Sequence, residues 1–209
     1  MKKKSPKLDV FKLYKKLYKL YGPQHWWPVS YNRHDKEFEI AAGAVLTQST
    51  SWKNVEKALR CLHENNLLSA KAVANCPVSK LQKCLRSSGY YKQKSKKLKI
   101  LSQWLVENYR GSLRKFFSKP LKEGREELLS LWGVGPETAD SILLYAGGKP
   151  VFVIDAYTKR LCAKFGIKFK TYDEYRGWFE KKLPVSAKLF NEFHALIVAS
   201  GKDRHTAVE

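Results

Sequence analysis

Val10, Tyr14, Leu17 and Tyr21 recur at helical spacing, with Phe11 and Tyr18 beside them, and Lys12, Lys15, Lys16 and Lys19 fill the opposite side. This predicts an amphipathic helix that Gly22-Pro23 stops. "HWWPVSYNRH" reads as a loop. "FEIAAGAVLTQ" is apolar on nearly all sides, which predicts a central buried helix. Trp52, Val55, Leu59 and Leu62 mark the next one. Short helices should follow Ser69 and Ser79, each an N-cap candidate. "KQKSKKLKILSQWLVENYRG" reads as a long basic helix with Leu98, Leu101 and Leu105 facing in and Gly111 as its stop. Arg125 to Leu131 and the segment after Pro136 give two helices around a glycine turn. "VFVID" is a short apolar run entering a helix at Ala156, and "DEYRGWFEKKLP" and "SAKLFNEFHALIVASG" complete the series. No alternating strand pattern, internal repeat or low-complexity linker interrupts it. The expected fold class is all-α.

Composition then narrows the partner. The 209 residues carry 40 Lys and Arg against 19 Asp and Glu, a formal charge of +21. With 44% hydrophobic residues the chain should build a core, so the excess charge belongs to a globular surface and not to a disordered basic tail. A polyanion is the partner such a surface fits, nucleic acid before an acidic membrane. The longest uncharged stretch, Ile40 to Trp52, is shorter than the ~20 apolar residues that a bilayer span needs. The basic start "MKKKSPKLDVFK" has no apolar signal core behind it. A cytoplasmic, DNA-associated protein is expected. Cys61, Cys76, Cys84 and Cys162 lack metal-ligand spacing, so four reduced thiols are expected, mostly in the core, with neither zinc nor an iron–sulfur cluster.

The candidate chemistry begins at "LLSLWGVGPETADSILLYA". Gly133 and Gly135 permit backbone angles that other residues resist, and they clear space for another backbone. Pro136 suits the first position of the second helix. The N–H groups from Gly133 through Val134 and Gly135 to Thr138 would point outward at a helix N-terminus, where a phosphate is readily held. An ordinary helix–turn–helix corner is the alternative, and the full L-x-G-x-G-x-x-T-A pattern in so basic a chain favours the phosphate. Twenty residues on, Asp155 follows the apolar run and precedes a helix. It can cap that helix, and it can also be a carboxylate at the mouth of a cleft. On the long helix, Lys92, Lys94, Lys96, Lys97 and Lys99 are candidate phosphate contacts.

"LLSLWGVGPETADSILLYA" followed by "VFVIDAYTKRL", with "AAGAVLTQSTSW" before them and "SSGYYKQKSKKLKIL" between, resembles the helix-hairpin-helix DNA glycosylases of the endonuclease III superfamily. The order and spacing agree over roughly residues 26 to 200. "WWP" before "GAVLTQ", with Trp52 after it, is most similar to the 3-methyladenine DNA glycosylase branch. The resemblance implies two helical lobes with a cleft between them: residues 26–149 as a helical barrel with the hairpin, and 1–25 plus 150–209 as the second lobe. It implies that the hairpin grips the backbone of damaged double-stranded DNA, with a monovalent cation held by the carbonyls of Leu129, Leu131 and Val134. It makes Asp155 the family's aspartate and Gln48 the glutamine that fills the gap left by an extruded nucleotide. A monomer is expected.

Two departures sharpen the expectation. Members that cut the strand carry a lysine in the second hairpin helix, and Glu137 stands at that position. Many members end in a four-cysteine cluster loop, and "ASGKDRHTAVE" has no cysteine. A monofunctional glycosylase is therefore expected, removing a 3-methyladenine-type base. Trp26, Trp27, Pro28 and Trp52 are the candidate base pocket, because a cationic purine gains stacking and cation–π attraction from aromatic rings. Another lesion (uracil, mismatched thymine or an oxidised base) and a non-catalytic DNA-binding hairpin protein are the alternatives.

Overall fold

The computed structural model describes residues 8–28, 31 and 35–203. The basic head up to Lys7, part of the "HWWPVSYNRH" loop and the cysteine-free tail beyond Asp203 lie outside the described residues. Among the described residues there are twelve α-helices and no strand. The chain divides into two compact units, one of residues 27–147 and the other of residues 1–26 with 148–209. Against the expected 26–149, Trp26 and residues 148–149 fall on the other side of the boundary. The Trp26 carbonyl accepts from Asn191 Nδ2, of the same unit, at 3.1 Å.

The larger unit holds α2 (Lys36–Leu46), α3 (Trp52–Glu64), α4 (Ala70–Asn75), α5 (Val78–Leu85), α6 (Tyr91–Tyr109), α7 (Leu113–Phe116), α8 (Leu121–Ser130) and α9 (Pro136–Ser141). Helix α2 is buried along its length after Lys36, as its apolar sequence predicts. Its two carboxylates are satisfied: Arg114 Nε donates to Glu37 at 2.9 Å, and the Tyr31 N–H to Glu39 at 3.1 Å. Ser69 caps α4 by accepting from the Ala72 N–H. Ser79 does not cap α5: the helix starts one residue earlier, directly after Pro77, whose fixed φ of −57° sets the entry. Helix α6 ends in two left-handed residues, Arg110 and Gly111, and the Gly111 N–H reaches back to the Leu105 carbonyl at 2.8 Å. Helix α8 also starts earlier than expected, after Pro120.

The smaller unit holds α1 (Val10–Tyr21), α10 (Ala156–Lys164), α11 (Tyr172–Lys182) and α12 (Ala187–Lys202). The "VFVI" run crosses it as irregular backbone with all four side chains buried. Such backbone needs other partners for its N–H groups. The Phe152 N–H finds Glu180 at 3.0 Å and the Ile154 N–H finds the Tyr172 hydroxyl at 3.2 Å. Phe152 stacks on Phe179 at 4.3 Å, and Phe190 and Phe193 close on it edge-on. This packing delivers Asp155 to the head of α10. All four cysteines are free thiols, three of them buried.

Candidate functional site

The glycine turn joins α8 to α9. Gly133 has φ +85°, and a Cβ there would lie 2.5 Å from Lys97 Cγ, so both conformation and space demand glycine. Gly135 differs from expectation: its φ of −90° is open to any residue and nothing in the chain lies within 4 Å of a Cβ. Pro136 opens α9 as expected. Glu137, exposed in its first turn, suits the positive end of the helix dipole. The two hairpin helices are pinned by Arg125, whose guanidinium meets the fully buried Asp140 at 2.7 and 3.3 Å. Beyond Ser141 the chain widens into one π turn, Ile142–Ala146, which α9's sequence does not announce.

Gln48 follows α2 and lies against this hairpin. Its amide Nε2 donates to Thr138 Oγ1 at 2.8 Å and to the Gly133 carbonyl at 3.4 Å, while Lys97 Nζ donates to its Oε1. Thr138 is itself buried, so its hydroxyl serves Gln48 and not an outside phosphate. Val134 is buried as well, and its N–H closes the turn on the Leu131 carbonyl at 3.1 Å. Leu129 sits in the last turn of α8, where carbonyls lack an intrahelical donor and the helix dipole is negative. The Leu131 carbonyl, which accepts from the Val134 N–H, keeps a second lone pair. Among the described residues no group of three His, Cys, Asp or Glu side chains could hold a metal ion.

The basic helix is less uniform than its sequence. Lys92 and Lys96 are exposed, and the Lys96 ammonium lies 4.3 Å above the ring of Trp132, an indole half exposed at the hairpin. Lys99 Nζ donates to the Ala74 carbonyl at the end of α4 at 2.9 Å. Lys94 corrects the expectation outright: it is 2% exposed, and its Nζ donates to the carbonyls of Leu46 at 2.8 Å and Ser88 at 2.5 Å. It lies four residues before Leu98, on the buried face, so it offers no phosphate contact. Burial, and then the charge of Lys97, lower its pKa to about 8. Lys94, Lys97, Gln48, Ser49, Tyr90 and Gln93 line a recess of about 150 Å³.

The tryptophans separate. Trp27 lies edge-on to Trp52 at 5.2 Å and tilted on Tyr145 at 5.0 Å. A Cβ at Gly43 would come within 3.1 Å of the Trp27 ring, so glycine there lets the indole lie close on α2. Trp52 is held by its indole N–H, which donates to Glu56 at 2.8 Å. Pro28 is exposed. Trp26 is placed in the other unit, its ring 6.1 Å from that of His194 and edge-on to it. Tyr145, from the π turn, was not among the residues the sequence pointed to.

Asp155 caps α10: its Oδ1 accepts from the Thr158 N–H at 2.7 Å. Its Oδ2 lies 3.6 Å from Nε2 of His194, which α12 buries to 4%. Burial pushes the Asp155 carboxyl up. A charge on the His194 imidazole, 3.6 Å away, and the hydrogen bond from the Thr158 N–H outweigh that and bring it to about 2. The site thus favours an ionised carboxylate, oriented by the Thr158 N–H and faced by the His194 imidazole. Such a group can stabilise positive charge or orient a water molecule. His194 is the partner that sequence reasoning missed. Its signal was a lone imidazole on the apolar face of "FHALIV", a pattern ordinary core histidines share.

The sequence pattern of the HhH-GPD superfamily of base excision DNA repair proteins matches residues 42–184. A protein of Methanocaldococcus jannaschii, provisionally named a DNA repair glycosylase, is 44% identical over 194 residues, covering 90% of this chain and 85% of that one. Endonuclease III of Thermotoga maritima is 31% identical over 156 residues, 73% of this chain and 69% of that one. Among solved structures, the Helicobacter pylori 3-methyladenine DNA glycosylase MagIII bound to 1,N6-ethenoadenine is similar with a TM-score of 0.83. It is 34% identical, with 96% of this chain and 100% of that one covered.

Proposed function

The chain belongs to the HhH-GPD superfamily of base excision DNA repair proteins and is a DNA glycosylase, and on that premise we propose that it is monofunctional and removes an alkylated purine of the 3-methyladenine type from duplex DNA. The observation that carries the chemistry is Asp155, whose carboxyl is lowered to about 2, held by the Thr158 N–H and faced by His194 at 3.6 Å. A base inside a duplex is out of reach and must be flipped out, at about a few kcal/mol. As the bond from the sugar C1′ to the purine nitrogen breaks, its electron pair leaves with the base and positive charge grows on the sugar. The Asp155 carboxylate stabilises that charge and aligns a water molecule, whose oxygen bonds to C1′ and whose proton goes to solvent. An N3-alkylated purine is already cationic and departs neutral, so it needs little acid help. Gln48 enters the gap in the duplex, and the hairpin together with Lys92 and Lys96 grips the backbone, where a monovalent cation held by the carbonyls of Leu129, Leu131 and Val134 would add positive charge.

Support for the substrate is the aromatic set Trp27, Trp52 and Tyr145 and the likeness to MagIII. Support for monofunctionality is Glu137, a carboxylate where strand-cutting relatives carry an amine. The likeness to endonuclease III favours a second reading, removal of another damaged base. A panel of duplexes, each with one lesion, incubated with the protein and then cleaved by alkali separates them. Release of 3-methyladenine at least tenfold faster than of uracil, thymine or oxidised bases supports the proposal. The reverse order overturns it.

A further inference from the structure

Lys94 is expensive to bury, and the structure shows what its burial accomplishes. Its ammonium has three donors, and two of them go to main-chain carbonyls. One carbonyl is that of Leu46, the last residue of α2, two residues before Gln48. The other is that of Ser88, which ends the 3-10 turn Arg86–Ser88 and precedes a second unusual segment. Both stretches that leave these carbonyls are strained. Ser49 has φ +53° and Tyr90 φ +45°, left-handed angles that non-glycine residues rarely adopt. They persist only where the surroundings hold them. Ser88 is fully buried and its hydroxyl is engaged by the Leu85 carbonyl, so this anchor is fixed. Gln48, Ser49 and Tyr90 together with Lys94 line one recess.

We infer that Lys94 is a positioning residue: its buried ammonium ties the end of α2 to the Ser88–Tyr90 turn, and so fixes the Gln48–Ser49 segment where Gln48 can enter DNA. This rests on the reading of Gln48 as the residue that fills the gap. Lys97 contributes differently, by bonding the Gln48 amide itself. A lysine has the reach to bind two carbonyls on separate segments from a helix, and its charge strengthens both bonds. The role is distinct from phosphate binding, because 2% exposure leaves the ammonium no access to a backbone outside.

The test is a double-mutant cycle with Lys94→Met and Gln48→Ala. The full-length proteins are titrated against a duplex with a stable tetrahydrofuran abasic analogue and against the same intact duplex, with melting temperatures taken on the same preparations. Lys94→Met should weaken binding to the abasic duplex about tenfold or more, the factor a hydrogen bond to a charged group carries. Binding to intact duplex should stay within about twofold, and in the Gln48→Ala background the substitution should change nothing further. Unchanged affinity for the abasic duplex, an equal loss on both duplexes, or an undiminished loss in the Gln48→Ala background overturns the inference while Gln48 keeps its role. A Gln48→Ala protein that binds the abasic duplex like the wild type overturns the role of Gln48 and the inference with it. If Lys94→Met does not fold, Lys94→Gln, which keeps one donor but spans less, is judged by the same outcomes.

Discussion

Replacing His194 by leucine should expose how the carboxylate of Asp155 is kept ionised. In the folded protein that carboxyl stands at about 2, against an ordinary value of 3.8. The gap corresponds to roughly 2.4 kcal/mol, at ~1.36 kcal/mol for each tenfold step in proton affinity. Burial alone would push the carboxyl above 3.8, and the His194 imidazole is the first of the influences that reverse this. A leucine leaves the burial and removes the imidazole with the charge it carries when protonated. The carboxyl should then titrate above its ordinary 3.8, as desolvated carboxylates do. The signs are definite. A depressed carboxyl contributes stability above the unfolded value, and that contribution fades as pH falls through about 2. With His194 removed the group is raised, its burial costs stability at neutral pH, and catalysis that needs the anion fails on the acid side. The assay is the single-turnover excision rate from pH 5 to 9, with melting temperature followed over the same range. The wild type should be flat toward acid, the His194→Leu protein should fall by several-fold between pH 7 and 5, and His194→Gln, a neutral donor, should lie between them. Superimposable acid limbs in all three proteins would refute the electrostatic reasoning, even if every rate were lower.

Three further outcomes follow from the same geometry. Binding to undamaged duplex should weaken with salt at a log–log slope of about −3 to −4, as expected for four phosphates neutralised; Lys92→Ala and Lys96→Ala should each flatten it by about 0.9, and Lys94→Met should leave it unchanged. Borohydride should trap no covalent adduct between the protein and lesion-bearing DNA, because Glu137 offers no amine; a trapped species on denaturing gels would contradict this. Trp27→Ala or Trp52→Ala should slow 3-methyladenine release about tenfold, in keeping with the ~1–3 kcal/mol that stacking on one base contributes, while a folded thermal transition survives; normal excision by both would make these rings structural.

The helices were legible where one period dominated. Leu98, Leu101 and Leu105 orient α6 correctly, and the same stripe, carried back four residues, already puts Lys94 inside. Residue type argued against residue position there, and position prevailed because two helix-end carbonyls were available to the ammonium. His194 repeats the lesson: it shares a face with Phe190, Ile197 and Val198, and only the fold supplies the carboxylate beside it. The hairpin was readable from Gly133 and Pro136, since each meets a backbone demand that few other residues meet. Gly135 looked equivalent and is not, because its φ lies in an ordinary region. Tyr145 was hidden by a π turn, whose extra residue shifts the register that a 3.6-residue period assumes. Trp26 and Trp27, neighbours in sequence, go to different units: Asn191 fixes the carbonyl of one and Gly43 receives the ring of the other.

The account stands on one carboxylate, and one comparison tests it most directly: the single-turnover rate of 3-methyladenine excision by Asp155→Asn beside the wild type, with duplex affinity measured on the same samples. The asparagine is nearly isosteric and lacks only the charge. The account predicts excision slower by about 100-fold or more, the loss typical of removing one preorganised electrostatic group, with affinity changed by no more than a few-fold. An excision rate equal to the wild type would contradict it.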